Sequence, residues 1–347
     1  MSTLFRRRRV LVSVIAIVAA SATAAVLHAQ SRFDIFLLAF DSKGYAVTDL
    51  ELKDLQFREN DKSGTVVSVD RFQWPIKVTV LVDNGRGGAA GVGTGLTSDN
   101  QAAVASAASV QSVAPDCSFN NLVHYRNGLK KLFETLPSDV EVTLIATAPN
   151  PRYLIKPTAD PVQIQKGVNL LTPDSEFTGR FTDSLTEYAQ RLDIEFKQLT
   201  REERPPYQPV LVVIGSTTLD GSRIERERAI RMLTSMQRYG VLTNFIMIAP
   251  CSVSNDIDEG GTVLIAKAVQ EATRGRYEPI ASGGTTRLVT LLPEIGAKIA
   301  ARHRKQMLQY RLTLERPEGA TGPFGKSEIS LSRPGVQYIM SLDGTYP

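Results

Sequence analysis

The sequence contains few of the residue types on which most catalytic and metal-binding sites depend. Its 347 residues include two cysteines, three histidines and one tryptophan. Cys117 and Cys251 belong to no CxxC element, which excludes a zinc knuckle or a dithiol redox site of that kind. His124 and His303 have no acid or nucleophile at an informative spacing, and neither GxSxG nor HExxH occurs. These absences predict a protein that is not an enzyme and has no cofactor.

The chain also lacks an excess of one charge once its N-terminus is set aside. Residues 6–9 are four consecutive arginines, and residues 1–30 contain no other charged residue. The remaining 36 of the 40 basic residues therefore balance the 36 acidic residues. A chain that is neutral outside one short run has no general electrostatic field that would attract a polyanion. We therefore expect no nucleic-acid partner.

The N-terminal segment has the three parts of a signal peptide. The arginine run is followed by the apolar stretch Val10–Leu27 and then by the small residues around Ala29. We predict that residues 1–30 are a signal peptide and that the chain is secreted or periplasmic. An uncleaved segment, whose apolar stretch of about eighteen residues can just span a bilayer, would instead anchor the chain in a membrane. In an exported chain Cys117 and Cys251 could form a disulfide bond, with two buried thiols as the alternative.

The rest of the chain separates into three zones. Residues 31–73 alternate as short strands, residues 74–303 alternate apolar strand-like runs with helical periodicity, and residues 304–347 return to strands. The middle zone predicts an α/β fold, a doubly wound and mostly parallel sheet covered by helices on both faces. The two outer zones are predicted to pack together as a small β lobe. The expected central strands are 76–82, 140–146, 210–214 and 241–248, and the expected helices lie near 122–136, 181–199, 224–233, 263–269 and 288–299, with Pro293 either kinking the last helix or marking its start.

A glycine-rich stretch follows the first predicted strand of the middle zone. Six glycines lie between Gly85 and Gly95, with Arg86 among them. A glycine-rich turn after a strand can bring backbone N–H groups near an anion, although no GxxxxGK follows here. The alternative function is therefore a small-molecule or anion-binding protein, or a hydrolase, that uses this loop.

Four short motifs near the two ends of the chain carry a family resemblance. They are Asp41-Ser42-Lys43-Gly44, Val47-Thr48-Asp49-Leu50, Asp54-Leu55-Gln56-Phe57 and Arg333-Pro334-Gly335-Val336. Together they resemble bacterial secreted proteins, found notably in acidobacteria, that are related to the von Willebrand factor type A domain family. The resemblance implies a von Willebrand A-like sheet with a ligand site at its carboxyl edge, and a non-enzymatic interaction or adhesion module with a protein partner. The partner would contact the loops 84–120, 174–182, 216–221 and 249–259, and both cysteines would lie on loops at that edge.

The resemblance also implies a metal-ion-dependent adhesion site, which this sequence departs from. The family holds Mg²⁺ with D-x-S-x-S, a threonine from a later loop and a further Asp. Here Asp83-Asn84-Gly85-Arg86-Gly87 has glycines in place of both serines. The threonine would be Thr178 or Thr182, and Ser216 stands at the acidic position, four residues before Asp220. We predict a degenerate site in which Asp83, Thr178 and Ser216 would be the metal ligands, if Mg²⁺ binds, and in which Asn84, Arg86 and Asp220 contact a partner.

Overall fold

The structure is a computed structural model that describes residues 32–85, 122–174, 179–200, 203–217, 220–222, 226–249, 261–281, 283–320 and 326–346. The chain divides into two compact units. The first, called the β unit here, combines Met1–Gln73 with Arg304–Pro347, and the second, the α/β unit, is Trp74–His303. Within the described residues no helix is both long and apolar enough to cross a bilayer.

Thirteen strands and six α-helices lie in the described residues. The strands are β1 (Arg32–Phe40), β2 (Leu55–Glu59), β3 (Lys62–Ser63), β4 (Thr65–Phe72), β5 (Ile76–Val82), β6 (Glu141–Ala146), β7 (Arg152–Thr158), β8 (Gln208–Ser216), β9 (Leu242–Ile248), β10 (Arg276–Ile280), β11 (Gln309–Glu315), β12 (Ser327–Leu331) and β13 (Gln337–Ser341). The helices are α1 (Leu122–Thr135), α2 (Pro161–Asn169), α3 (Phe181–Glu195), α4 (Arg226–Arg238), α5 (Gly261–Thr273) and α6 (Leu288–Met307).

The α/β unit is built on a six-stranded sheet of order β10-β9-β8-β5-β6-β7. All neighbouring strands are parallel except β7, which runs antiparallel to β6. The central strands are almost continuously apolar because helices cover both faces. Val80 of β5 packs in the cluster that contains Leu129 of α1 and Leu292 of α6, while Leu81 packs with Leu185 of α3 on the other face. The predicted doubly wound, mostly parallel α/β sheet is confirmed.

Three elements of the α/β unit were not predicted from the sequence, and each has a physical reason. Strand β7 lies at an edge of the sheet and is largely exposed, so it has no continuous apolar run. Strand β10 is the other edge strand, is short and contains Pro279, which usually argues against a strand. Helix α2 is nine residues long and buries only Gly167 and Val168, so it lacks a clear apolar periodicity, although its proline-led start is typical of a first helical turn. Pro293 lies inside α6, so the interpretation that it marks the start of that helix is wrong.

The β unit consists of two small sheets that face each other across an apolar core. One sheet has the order β13-β1-β11-β4, and the other has the order β12-β2-β3. Ile35 and Leu312 from the first sheet share a cluster with Phe57 and Ile329 from the second. Strands from both ends of the chain therefore contribute to each sheet, and in the four-stranded sheet they alternate.

The motifs quoted above have structural roles in the β unit. Arg333 places its Nε 2.9 Å from Oδ2 of Asp54 and donates from Nη1 to Oδ1 of Asp49 at 2.8 Å. The Tyr310 hydroxyl donates to the carbonyl of Val47 and accepts the amide of Leu50. These contacts join residues that are far apart in the chain, so the N-terminal and C-terminal motifs are bonded to each other.

Candidate functional site

The carboxyl ends of three neighbouring strands bring polar residues together at one edge of the large sheet. In the parallel register Val82 of β5 lies opposite Ala146 of β6 and Ile214 of β8. Asp83 follows β5, Thr147 follows β6 and Ser216 ends β8. The topology therefore places these three residues side by side, in the region where open α/β sheets bind their ligands.

Asp83 is buried at this edge and accepts hydrogen bonds from other residues of the protein. Its exposed fraction is 4%, and its Oδ1 accepts the amide of Gly85 at 3.0 Å and the hydroxyl of Thr147 at 3.5 Å. The pKa of Asp83 is raised to about 6, mainly by burial and to a lesser extent by the charge of Asp220, which together outweigh the lowering effect of hydrogen bonds from Gly85, Ser216 and Thr147. The carboxyl group thus titrates well above its ordinary range because the fold removes it from water.

Gly179 packs its backbone directly against this carboxyl group. A Cβ at position 179 would lie 2.1 Å from Oδ1 of Asp83 and 2.6 Å from Oγ1 of Thr147. Real side chains do not approach so closely, so the position requires a residue without a Cβ. The role of Gly179 was not predicted from the sequence, because it depends on a contact with residues distant in the chain.

Asp220 organises the start of helix α3. Its Oδ1 accepts the amide of Phe181 at 3.0 Å, and its Oδ2 accepts the amide of Thr182 at 3.2 Å together with the Thr182 hydroxyl. It also accepts the amide of Ser222 at 3.0 Å. Asp220 therefore caps a helix that lies earlier in the chain, where a negative charge is also favoured by the helix dipole.

Asn84 is fully buried and bonded inside the protein. Its Oδ1 accepts the amide of Ala148 at 3.0 Å, and its Nδ2 donates to the carbonyl of Thr172 at 2.9 Å. Its side chain holds together the segments that follow β6 and α2. The expectation that Asn84 contacts a partner is therefore corrected, because its exposed fraction of 0% leaves no surface for contact.

Of the other residues predicted for the site, some are buried at this edge of the sheet and the rest lie outside the described residues. Ser216 is buried, and its amide hydrogen-bonds to Asp83. Between the two candidate threonines, Thr182 lies against Asp220, whereas Thr178 lies outside the described residues. Arg86, Cys117 and Cys251 also lie outside them, so the partner role of Arg86, the anion-binding loop and the disulfide bond stay predictions.

The residues at this edge fit poorly as ligands for Mg²⁺. A hard cation would have to share oxygens that already accept hydrogen bonds from the chain itself, namely Oδ1 of Asp83 and both oxygens of Asp220. Gly85 offers no hydroxyl where the family has its first serine. In the parts of the chain that the structure describes, no group of three or more His, Cys, Asp or Glu side chains is arranged to hold a metal ion.

A second polar pair lies at the opposite edge of the same sheet and was also missed. His303 is buried, and its Nδ1 accepts the amide of Ile76 at 3.3 Å, while its Nε2 lies 3.0 Å from Oδ2 of Asp139. Since Nδ1 accepts, we assign the proton of the neutral ring to Nε2, which then donates to Asp139. This arrangement supports the start of β5 and is structural.

Searches of family models and of curated proteins find no match to the chain. Among solved structures, BatB from Bacteroides thetaiotaomicron is similar at 14% identity and a TM-score of 0.41, over 65% of this chain and 99% of that one. A von Willebrand factor type A protein from Catenulispora acidiphila is similar at 10% identity and a TM-score of 0.43, over 89% and 72%. Proximal thread matrix protein 1 from the mussel byssus is similar at 11% identity and a TM-score of 0.41, over 67% and 50%. Membership of the von Willebrand factor type A family therefore stays a prediction from the sequence motifs.

Proposed function

We propose that this chain is an exported, non-enzymatic protein-interaction module of the von Willebrand A-like type. It would contact its partner with the loops at the carboxyl edge of the large sheet, and would do so without a metal ion. Export rests on the signal-peptide pattern of residues 1–30. That the partner is a protein is inferred by analogy with the family that the sequence resembles, together with the absence of a catalytic motif in the sequence.

One observation carries the proposal. Asp83 and Asp220, the two carboxylates at the carboxyl edge, both accept hydrogen bonds from backbone amides of the segments around them. A general acid, a general base or a metal ligand needs an oxygen that faces substrate or metal. Carboxylates engaged in this way instead serve to position the backbone from which the loops depart.

The buried polar residues of the edge give those loops defined starting points. Asn84 accepts the amide of Ala148, and Gly221 donates its amide to the carbonyl of Gly179 at 2.9 Å. Four segments are therefore tied together at the bases of the loops after β5, β6 and β8 and before α3. Binding loops held on a rigid scaffold are how many recognition proteins vary their partners without changing the fold.

Metal independence follows from the same hydrogen bonds. Mg²⁺ bound through Asp83 and Asp220 would compete with the amides that already bond to Oδ1 of Asp83 and to both oxygens of Asp220, and an amide that lost this competition would be left without an acceptor. The two glycines in place of serines remove two ligand oxygens as well. We therefore expect partner binding to be the same in Mg²⁺ and in a chelator.

The test uses the full chain as bait for exported proteins from its own cells, followed by affinity measurement with the purified captured partner. In one variant, residues 86–120 and 250–259 are replaced by Gly-Ser linkers of equal length. The matched control replaces residues 321–325, which belong to the β unit, in the same way. Each protein is measured with Mg²⁺ and with EDTA, after circular dichroism has established that it is folded.

We expect the edge-loop variant to lose binding, the control to keep it, and EDTA to have no effect. Unchanged affinity in the edge-loop variant would overturn the placement of the binding surface. Loss of affinity in EDTA, restored by Mg²⁺, would overturn the metal-free mechanism while leaving the interaction function in place.

A further inference from the structure

The β unit contains a cavity of about 510 Å³ between its two sheets. Ile35 of β1 and Leu314 of β11 line it from the four-stranded sheet, and Phe57 of β2 and Ile329 of β12 line it from the three-stranded sheet. All four side chains are buried. The cavity lies on the opposite side of β1 from the small apolar cluster that contains Phe36 and Leu38, because successive side chains of a strand point to opposite faces.

The walls of the cavity are mostly apolar, with Ser327 and Ser341 as uncharged polar residues of the lining, and they are held in place. The ring of Phe57 meets that of Phe33 edge to face, with ring centroids 5.8 Å apart, and a Cβ at Gly64 would lie 2.4 Å from the Phe57 ring. Across the cavity, the Tyr338 hydroxyl donates to the carbonyl of Ile329 and joins the two sheets. Packing of this kind keeps the space open and prevents the two sheets from closing into it.

Asp34 borders the cavity, but its carboxylate is engaged elsewhere. Its Oδ1 accepts the hydroxyl of Thr313 at 2.8 Å, and this pair lies directly across the β1–β11 ladder. The neighbouring residues Phe33 and Ile35 point to the face that lines the cavity, so the carboxylate of Asp34 points to the other face. The cavity therefore has no lining cation, and no anion directed into it, among the described residues.

Two exposed apolar side chains stand at the mouth of the cavity. Met340, on edge strand β13, is 43% exposed, and Leu342, just after that strand, is 78% exposed. Apolar surface left in water costs roughly 25 cal/mol per Å², which a ligand that covers it would recover. An apolar interior that is continuous with an exposed apolar lip suits a ligand that enters from solvent.

We infer that this cavity binds the acyl chain of an amphiphile and leaves its head group in solvent. The volume lies within the range of roughly 300 to 1,000 Å³ that is typical of small-molecule sites. It is more than three times that of an apolar cavity of about 150 Å³ that holds one benzene, so a chain fills it better than a single ring. Because no lining charge faces inwards, the affinity for the amphiphile depends on the length of its acyl chain rather than on the charge of its head group.

The experiment measures binding of the neutral dye N-phenyl-1-naphthylamine to the full chain and its displacement by hexanol, decanol and dodecanol. Two substitutions on β13 form a matched pair. Met340→Asp changes a residue that lines the cavity, and Ile339→Asp changes its neighbour, which is 42% exposed and faces the other side of the sheet. Leu342→Asp is a second test at the exposed lip, where a change does not disturb the core.

We expect one alcohol to bind per chain, with affinity rising roughly fourfold for each added CH₂ until the cavity is filled. Met340→Asp and Leu342→Asp should each weaken dodecanol binding by at least about tenfold, because the alkyl chain must then pass a charge. Ile339→Asp should change it by less than about twofold. Equal affinities for dodecanol in the Met340→Asp and Ile339→Asp variants would overturn the inference, because the ligand would then be bound elsewhere, for example by the apolar residues 10–27. An affinity that does not depend on the length of the alcohol would overturn it as well.

Discussion

Asp220 caps a helix whose first turn contains Thr182, 38 residues earlier in the chain. Its carboxylate accepts both the amide and the hydroxyl of Thr182, and so ties the segment after β8 to the start of α3. In the family that the sequence resembles, a threonine and an aspartate at this edge belong to the metal site. In this chain the two residues bond to each other, and the contact stabilises the scaffold directly.

Replacing Asp220 by alanine should lower the free energy of unfolding by about 1 to 2 kcal/mol, the usual effect of losing a helix cap. Urea unfolding followed by circular dichroism measures the change. Asp220→Asn is the matched variant and should lose less stability, because its side-chain oxygen can still accept the amides of Phe181 and Ser222, which bond to Oδ1 of Asp220. An alanine variant as stable as the wild type would show that the cap contributes nothing.

Replacing Gly179 by alanine should destabilise the α/β unit by about 1 to 3 kcal/mol, because the added methyl group would overlap the carboxyl group of Asp83. A double-mutant cycle with Asp83→Ala tests the cause. Truncating Asp83 makes room for the methyl group, so Gly179→Ala should lower the free energy of unfolding clearly less in the Asp83→Ala variant than in the wild type. Additive effects of the two substitutions would argue against the contact.

The raised pKa of Asp83 predicts a pH dependence of stability. The group binds its proton more tightly in the folded state, at a pKa of about 6, than at its ordinary value of 3.8. Its stabilising contribution is therefore fully present below about pH 4 and is lost as the pH rises through 6. The loss should be on the order of 3 kcal/mol.

Urea unfolding of the wild type and of Asp83→Asn between pH 4 and 7 isolates this effect, because the amide does not titrate. The difference in stability between the two proteins should shift in favour of the Asn variant as the pH rises. A difference that is constant across this range would mean that Asp83 titrates normally.

Arg316 and Glu59 form a buried ion pair in the β unit. The guanidinium Nε donates to Oε2 at 2.8 Å and Nη2 donates to Oε1 at 2.6 Å, with side-chain exposures of 8% and 1%. Arg316→Met should lower the melting temperature by several degrees, because it removes the cation that pairs with a buried carboxylate. The double variant Arg316→Met with Glu59→Leu should regain most of the loss. If the double variant melts as low as the single one, the buried charge of Glu59 is not the cause.

The central strands and the long helices followed from the sequence because their burial is encoded locally. Ile76–Val82 has Ile76, Val78, Val80 and Val82 on one buried face, and Leu122, Tyr125, Leu129 and Leu132 recur at helical spacing. The edge strands β7 and β10 did not follow, since an exposed strand needs no apolar pattern and is defined by the neighbour with which it pairs.

By itself the sequence determined the α/β class, the order of the central elements and the position of Asp83 at the end of a strand. Only the tertiary structure decided what that residue does. Gly179, Thr147 and Ser216 reach Asp83 from three other parts of the chain, and Asp220 reaches back to Thr182. Local sequence determines which backbone segments form, whereas the hydrogen-bond partners of a buried carboxylate depend on how distant segments meet when the sheet assembles.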